Sequence, residues 1–156
     1  MTEYFADRQR KWELRFLALA CVISTWSKDP STKVGAIIVR PDMTIASVGY
    51  NGFPKNMKDD AYLYADRDVK LSRIIHAEMN AILHAREPLH GYTLYTWPMM
   101  SCDRCAVQVI QSGIARVVAP KLSREISKRW EKSLIQSAGY FAEAGVRVKL
   151  YNLGKL

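Results

Sequence analysis

His76-Ala77-Glu78-Met79-Asn80-Ala81-Ile82 and, further along, Cys102-Asp103-Arg104-Cys105 are the two stretches on which the reading of this chain turns. Both are expected at the head of a helix. The segment from His76 to about Ala85 is apolar at Ala77, Ala81, Ile82 and Ala85, and the one from Cys102 to Ser112 stops at Gly113, a residue suited to a left-handed C-terminal cap. Cys102 and Cys105 stand at i and i+3 and share a face, so both sulfurs can grip one ion, and a helix N-terminus favours their thiolate form. His76 and Glu78 stand at i and i+2 and point apart, so one can hold a metal while the other leans over a substrate. One imidazole and two thiolates suit zinc. Three protein donors leave a fourth position for water, whose pKa such a site lowers to about 7, with Glu78 as the acid/base. A CxxC also serves as a redox pair or in a closed structural zinc site. The first use wants a strand leading straight into the cysteines, and the second leaves Glu78 without a role.

Working outward, helical and strand periodicities alternate. Trp12, Phe16, Leu19 and Ile23 recur at helical spacing, with Arg10, Glu13 and Arg15 off that stripe. Ser27-Lys28-Asp29-Pro30-Ser31 breaks the helix. Val34 to Val39 and Thr44 to Val48 read as two strands joined by a Pro41-Asp42 turn, an antiparallel hairpin. Gly49-Tyr50-Asn51-Gly52-Phe53-Pro54 leaves the sheet as a structured loop, and the polar stretch from Lys55 to Arg73 holds a short helix around Asp66 to Leu71. Strands follow at Tyr92 to Trp97, Val117 to Ala119 and Val146 to Tyr151, with a long helix from Ile126 to Ala142. The order predicts an α/β fold: a mixed five-stranded sheet with helices on both faces. There is no internal repeat, low-complexity tract or linker, so residues 1–156 are expected to form a single domain.

Composition narrows the class. With 49% hydrophobic residues the chain is that of a folded protein, and it has no apolar run able to span a membrane. The mixed charges from Met1 to Lys11 lack the apolar core of a signal peptide. Three cysteines, two of them in the CxxC, point to a reducing, cytoplasmic setting, with Cys21 as buried packing and His84 and His90 as surface or core residues. The net charge of +8 fits either a solvated basic surface or attraction to phosphate. Its local concentration at Lys121, Arg124, Lys128, Arg129 and Lys132 is spread round a helix, and no interleaved basic and aromatic segment marks a polynucleotide binder.

The pair of motifs matches the H-x-E…C-x-x-C signature of zinc nucleobase deaminases. Together with Lys28-Asp29-Pro30-Ser31-Thr32-Lys33-Val34-Gly35-Ala36 and the Gly49 to Pro54 loop, it resembles the deoxycytidylate (dCMP) deaminases of the cytidine deaminase superfamily over roughly residues 10 to 150. That resemblance implies a three-layer cytidine deaminase-like fold and hydrolysis of dCMP to dUMP and ammonia, supplying dUMP for thymidylate synthesis. It implies His76, Cys102 and Cys105 as Zn²⁺ ligands, Glu78 moving a proton to N3 and then to the leaving amine, and the Ala77 N–H holding the base O2. Asn51 is implied at the sugar, and Lys28, Ser31 and Thr32 at the 5′-phosphate, although Ser31 and Thr32 also suit a plain turn. It further implies a homo-hexamer activated by dCTP and inhibited by dTTP with Mg²⁺, through Gly49, Tyr50, Gly52, Pro54 and Lys55. The simpler use of that loop is to position Asn51.

Two features depart from the resemblance. Ser101 stands where relatives carry Pro before the first Cys, with Pro98 four residues ahead of Cys102 in an approach about one residue longer than usual, so Trp97, Met99 and Met100 become candidates for the base-pocket wall. Ala119 stands where many relatives carry Tyr. Turnover of dCTP or free cytidine, deamination of tRNA adenosine, and a non-enzymatic zinc-stabilised binding module are the competing functions. The acidic Asp59-Asp60 and Asp66-Arg67-Asp68 between loop and helix speak against RNA.

Overall fold

Beta-branched and small residues build the centre of the molecule. The computed structural model describes residues 3–122 and 124–153, with side chains from 124 to 127 left aside. A five-stranded sheet comprises β1 (Gly35–Val39), β2 (Ile45–Tyr50), β3 (Thr93–Trp97), β4 (Arg116–Pro120) and β5 (Arg147–Tyr151), in the order β2-β1-β3-β4-β5. β1 pairs antiparallel with β2 and with β3, whereas β3–β4 and β4–β5 are parallel, so the sheet is mixed as expected.

Alternation along β1 sorts the two layers. Ile37 and Val39 point to α1 (Glu3–Ser24), where Phe16, Leu17, Ala20 and Ile23 cover them. Ala36 and Ile38 point to the other side, against Ala77 and Ala81 of α4 (Ala77–His84), Ala106 and Val109 of α5 (Asp103–Gln111) and Phe141 of α6 (Arg124–Glu143). Two glycines let the helices approach closely. A Cβ on Gly35 would lie 2.1 Å from the Ala20 carbonyl oxygen, and one on Gly49 would lie 2.4 Å from both the Ala77 oxygen and the Ala81 nitrogen.

Three expectations change. The stretch before His76 holds two short helices, α2 (Ala61–Ala65) and α3 (Arg67–Arg73), divided at Asp66, whose carboxylate caps α3 by accepting from the Asp68 and Val69 N–H groups. Glu13, off the apolar stripe in sequence, is fully buried. Arg116 at 2.5 Å, Lys149 at 3.1 Å, Tyr151 and Gln9 all reach its carboxylate, so partners from β4 and β5 compensate the charge. Cys21 is only half-buried.

Candidate active site

His76 and Cys102 occupy equivalent places. Each is the cap residue of its helix, in extended backbone, and its carbonyl begins the helical ladder by accepting the Asn80 N–H at 3.0 Å or the Ala106 N–H at 2.8 Å. The strand-like entry to His76 is pinned by a two-bond bridge between Gly52 and Ile75, at 3.1 and 2.8 Å. The helix starts meet so that His76 Nδ1 lies 3.5 Å from Cys102 Sγ and 3.3 Å from Cys105 Sγ. All three ligand atoms lie within 4.8 Å of one another, the one such His/Cys/Asp/Glu cluster among the described residues. One nitrogen and two sulfurs converging at that spacing fit zinc, and among the described residues no fourth His, Cys or carboxylate joins the cluster. Hydrogen bonds from Cys105 and His76 pull the Cys102 thiol well below its usual range, while the bond to Cys102 and burial push Cys105 up. His76 is raised chiefly by its bond to Cys102. A dication entering this cluster displaces its protons.

Glu78, in the first turn of α4, is 4% exposed, and burial pushes its carboxyl above the usual carboxylate range, with its own backbone N–H and His76 opposing. It lines an inner cavity of about 70 Å³ together with His76, Ala77, Cys102, Asn51, Ser31 and Thr32, so the structure brings these sequence candidates together. The cavity opens beside a cleft of about 690 Å³ that shares His76, Cys102, Arg129 and Trp130 and adds Cys105, Arg67 and Arg104.

Not every candidate arrives. Lys28 does not line the cavity; its ammonium bonds the Asp59 carboxylate at 2.8 Å and the Asp59 carbonyl at 3.2 Å, at 60% side-chain exposure, and that bond raises its pKa. The cation on that wall is Lys70, buried, with Nζ 3.2 Å from Asp29 Oδ1 and 3.1 Å from Ser31 Oγ. Asn51 reaches the cavity with its amide already engaged: Oδ1 accepts the Val34 N–H at 2.8 Å and Nδ2 donates to the Thr32 carbonyl at 2.9 Å. Its Nδ2 also lies 3.5 Å from Asp29 Oδ2. Met99 and Met100 line the cavity, but Trp97 packs on the α1 face. Ser101 is fully buried; its carbonyl accepts from Ser137 at 2.6 Å and its hydroxyl has no partner among the described residues. Gly49, Tyr50, Gly52, Pro54 and Lys55 meet along a third groove, with Asn80 and Leu83, that shares no residue with the inner cavity.

Asp29, Val34, Arg129 and Trp130, with Lys70, Leu71 and Ile74 from the stretch before His76, are lining residues that sequence reasoning did not select. A signal existed for the last three. Lys70 and Leu71 belong to α3, and Ile74 to the extended link that follows it, only two residues before His76.

A three-layer α/β sandwich with a His/Cys/Cys cluster and a buried carboxylate at two helix starts fits the class of zinc-binding nucleobase deaminases. The chain belongs to the cytidine and deoxycytidylate deaminase family, whose zinc-binding region matches residues 10–121. It is 39% identical over 138 residues to an uncharacterised deaminase in the luxG 3′ region of Aliivibrio fischeri, covering 88% of this chain and 92% of that protein. It is 40% identical over 128 residues to a probable deoxycytidylate deaminase of Caenorhabditis elegans, covering 80% of this chain and 64% of that protein. The crystal structure of dCMP deaminase from cyanophage S-TIM5 with dCMP and dUMP shares the fold, with a TM-score of 0.69 at 21% identity over 97% of this chain and 99% of that one. No helix among the described residues is long and apolar enough to cross a membrane.

Proposed function

We propose that the chain hydrolyses dCMP to dUMP and ammonia, so feeding thymidylate synthesis. The observation that carries this reading is the buried Glu78 beside the His76/Cys102/Cys105 cluster, inside a cavity that also holds Ser31, Thr32 and a buried cation. The likeness to deoxycytidylate deaminases over most of the chain supports it.

Zinc, held by His76, Cys102 and Cys105, supplies Lewis acidity and an activated water when bound. The chain's own residues do the rest. Burial raises the proton affinity of Glu78 above that of a free glutamate, which suits a carboxylate that takes one proton from water for N3 and then a second for the leaving amine. The Ala77 N–H is a first-turn donor that α4 cannot satisfy internally, and the residue lines the cavity, so it serves the base O2. Met99, Met100, Val34 and Ile74 give the base apolar walls.

The oligomer, with a hexamer as the expected size, and control by dCTP and dTTP with Mg²⁺ form part of the same proposal. The groove that gathers Gly49 to Lys55 offers effectors a place apart from the substrate. Ammonia release from dCMP, CMP, dCTP and cytidine by zinc-loaded protein, with and without dCTP or dTTP plus Mg²⁺, tests the whole reading. Turnover greatest with dCMP is expected; no turnover of any of them refutes it.

A further inference from the structure

Lys70 is a charged side chain 94% buried against the cavity, and burying an ammonium costs several kcal/mol unless it is compensated. Asp29 compensates it only in part. Its Oδ1 also accepts the Ser31 N–H at 2.8 Å and the Thr32 N–H at 3.4 Å, and its Oδ2 faces Asn51 Nδ2 at 3.5 Å, so the carboxylate is shared among four donors. An ammonium has three N–H donors, and Asp29 and Ser31 take two of them among the described residues. Ser31 Oγ accepts from Lys70, so its own hydroxyl hydrogen stays available to donate elsewhere. A purely structural ion pair has no need to face a cavity, yet Lys70, Asp29 and Ser31 all line the one that holds Glu78. Arg129 of α6, exposed, stands on the same lining.

Resting on the dCMP reading, we infer that Lys70 grips the 5′-phosphate of the nucleotide, with the Ser31 hydroxyl as a second donor and Arg129 as a cation at the mouth. Asp29 is a positioning residue: it holds Lys70 through one oxygen and shapes the Ser31-Thr32 turn through the same oxygen. The role assigned by resemblance to Lys28, in the loop after α1, thus passes to a lysine on α3.

The test compares dCMP with deoxycytidine, which lacks the phosphate, in the wild type, K70Q and the doubly neutral D29N/K70Q. The double variant leaves no unpaired buried carboxylate, and circular dichroism and zinc content establish that it is folded. The preference for dCMP over deoxycytidine, read as the ratio of kcat/KM values, is expected to fall on the order of 10- to 100-fold through KM for dCMP, the loss of one charge-assisted phosphate contact. A folded D29N/K70Q enzyme that keeps the wild-type ratio overturns the inference. If the wild type turns over no dCMP, the proposed activity fails separately. Calorimetric titration with dUMP and with inorganic phosphate then decides on Lys70, and equal affinity in wild type and double variant again overturns it.

Discussion

Replacing Gly49 with Ala isolates how the sheet positions the chemistry. The new Cβ would lie 2.4 Å from the Ala77 oxygen, 2.4 Å from the Ala81 nitrogen and 3.0 Å from the Ala81 Cα, all backbone, whereas ordinary contact begins near 3.4 Å. No side chain can turn aside, so α4 must retreat from β2 by about 1 Å. Overpacking of this kind costs about 1–3 kcal/mol, and stretching the 2.7 Å bond from the Ser47 hydroxyl to the Ala81 carbonyl adds about 1 kcal/mol. For a chain of this length that total lowers the melting temperature by roughly 5–15 °C. The same retreat carries the Ala77 N–H and Glu78 away from the cysteines at the head of α5, and a 1 Å misplacement costs about 10²-fold in rate. Differential scanning calorimetry and dCMP turnover read the two effects. Gly139, on the exposed side of α6 with nothing within 4 Å of its added Cβ, provides the contrast: G139A is expected to raise stability by about 0.5–1 kcal/mol through helix propensity alone. A G49A protein that melts within about 2 °C of wild type and keeps its kcat refutes the claim that this glycine sets the position of α4.

Glu78→Gln keeps the size of the side chain and all three metal donors; kcat is expected to fall roughly 10²–10⁴-fold while zinc per chain, measured by atomic absorption, stays at the wild-type value. Chelation is expected to abolish turnover and lower the melting temperature, and added Zn²⁺ to restore both; an apo protein that still turns over dCMP disproves the metal's role. Burial alone would raise the Glu13 carboxyl, but hydrogen bonds from Tyr151, Arg116, Gln9 and Lys149 outweigh it and hold the pKa below the ordinary value. The unfolded chain therefore binds the proton first, so Glu13 contributes its full stability above about pH 4.5 and loses it as pH falls through the lower native value. E13Q is expected to be less stable at pH 7 by about 3–5 kcal/mol, with a shallower decline on acidification; urea unfolding between pH 3 and 7 checks this, and parallel stability curves contradict it.

The ligand cluster was legible because its geometry is local. The i, i+3 spacing of Cys102 and Cys105 and the helix-starting position of His76 decide, within a few residues, where the donors point. The strands were legible for the same reason, as short β-branched runs between breakers. What escaped was long-range pairing. Glu13 looks solvent-facing on a helical wheel, because the wheel cannot show Arg116 and Lys149 arriving from strands more than 100 residues later. The resemblance puts Lys28 at the 5′-phosphate together with Ser31 and Thr32. Asp59 claims it, and Lys70 enters the same wall from α3. Local composition cannot choose between two lysines when the choice depends on which carboxylate each one meets.

Trp97 marks a boundary between these two cases. Alternation along β3 puts Leu94 on the side of the metal cluster and Tyr95 on the side of α1, so Trp97, two residues past Tyr95, must join α1 as well. Its place in the base-pocket wall was thus already excluded by strand parity. Met99 and Met100 escape that rule because the strand ends at Trp97, after which the chain leaves the carboxyl end of this central strand toward Cys102. The cavity lies at the carboxyl end of β3, where the antiparallel half of the sheet meets the parallel half, the kind of place where open α/β sheets leave a crevice. Ser101 falls within that turn, and both cysteines stand at the head of α5. Ligand geometry and pocket wall are therefore set by separate segments, the helix start and the loop before it, and the wall can vary in sequence while the metal donors stay where they are.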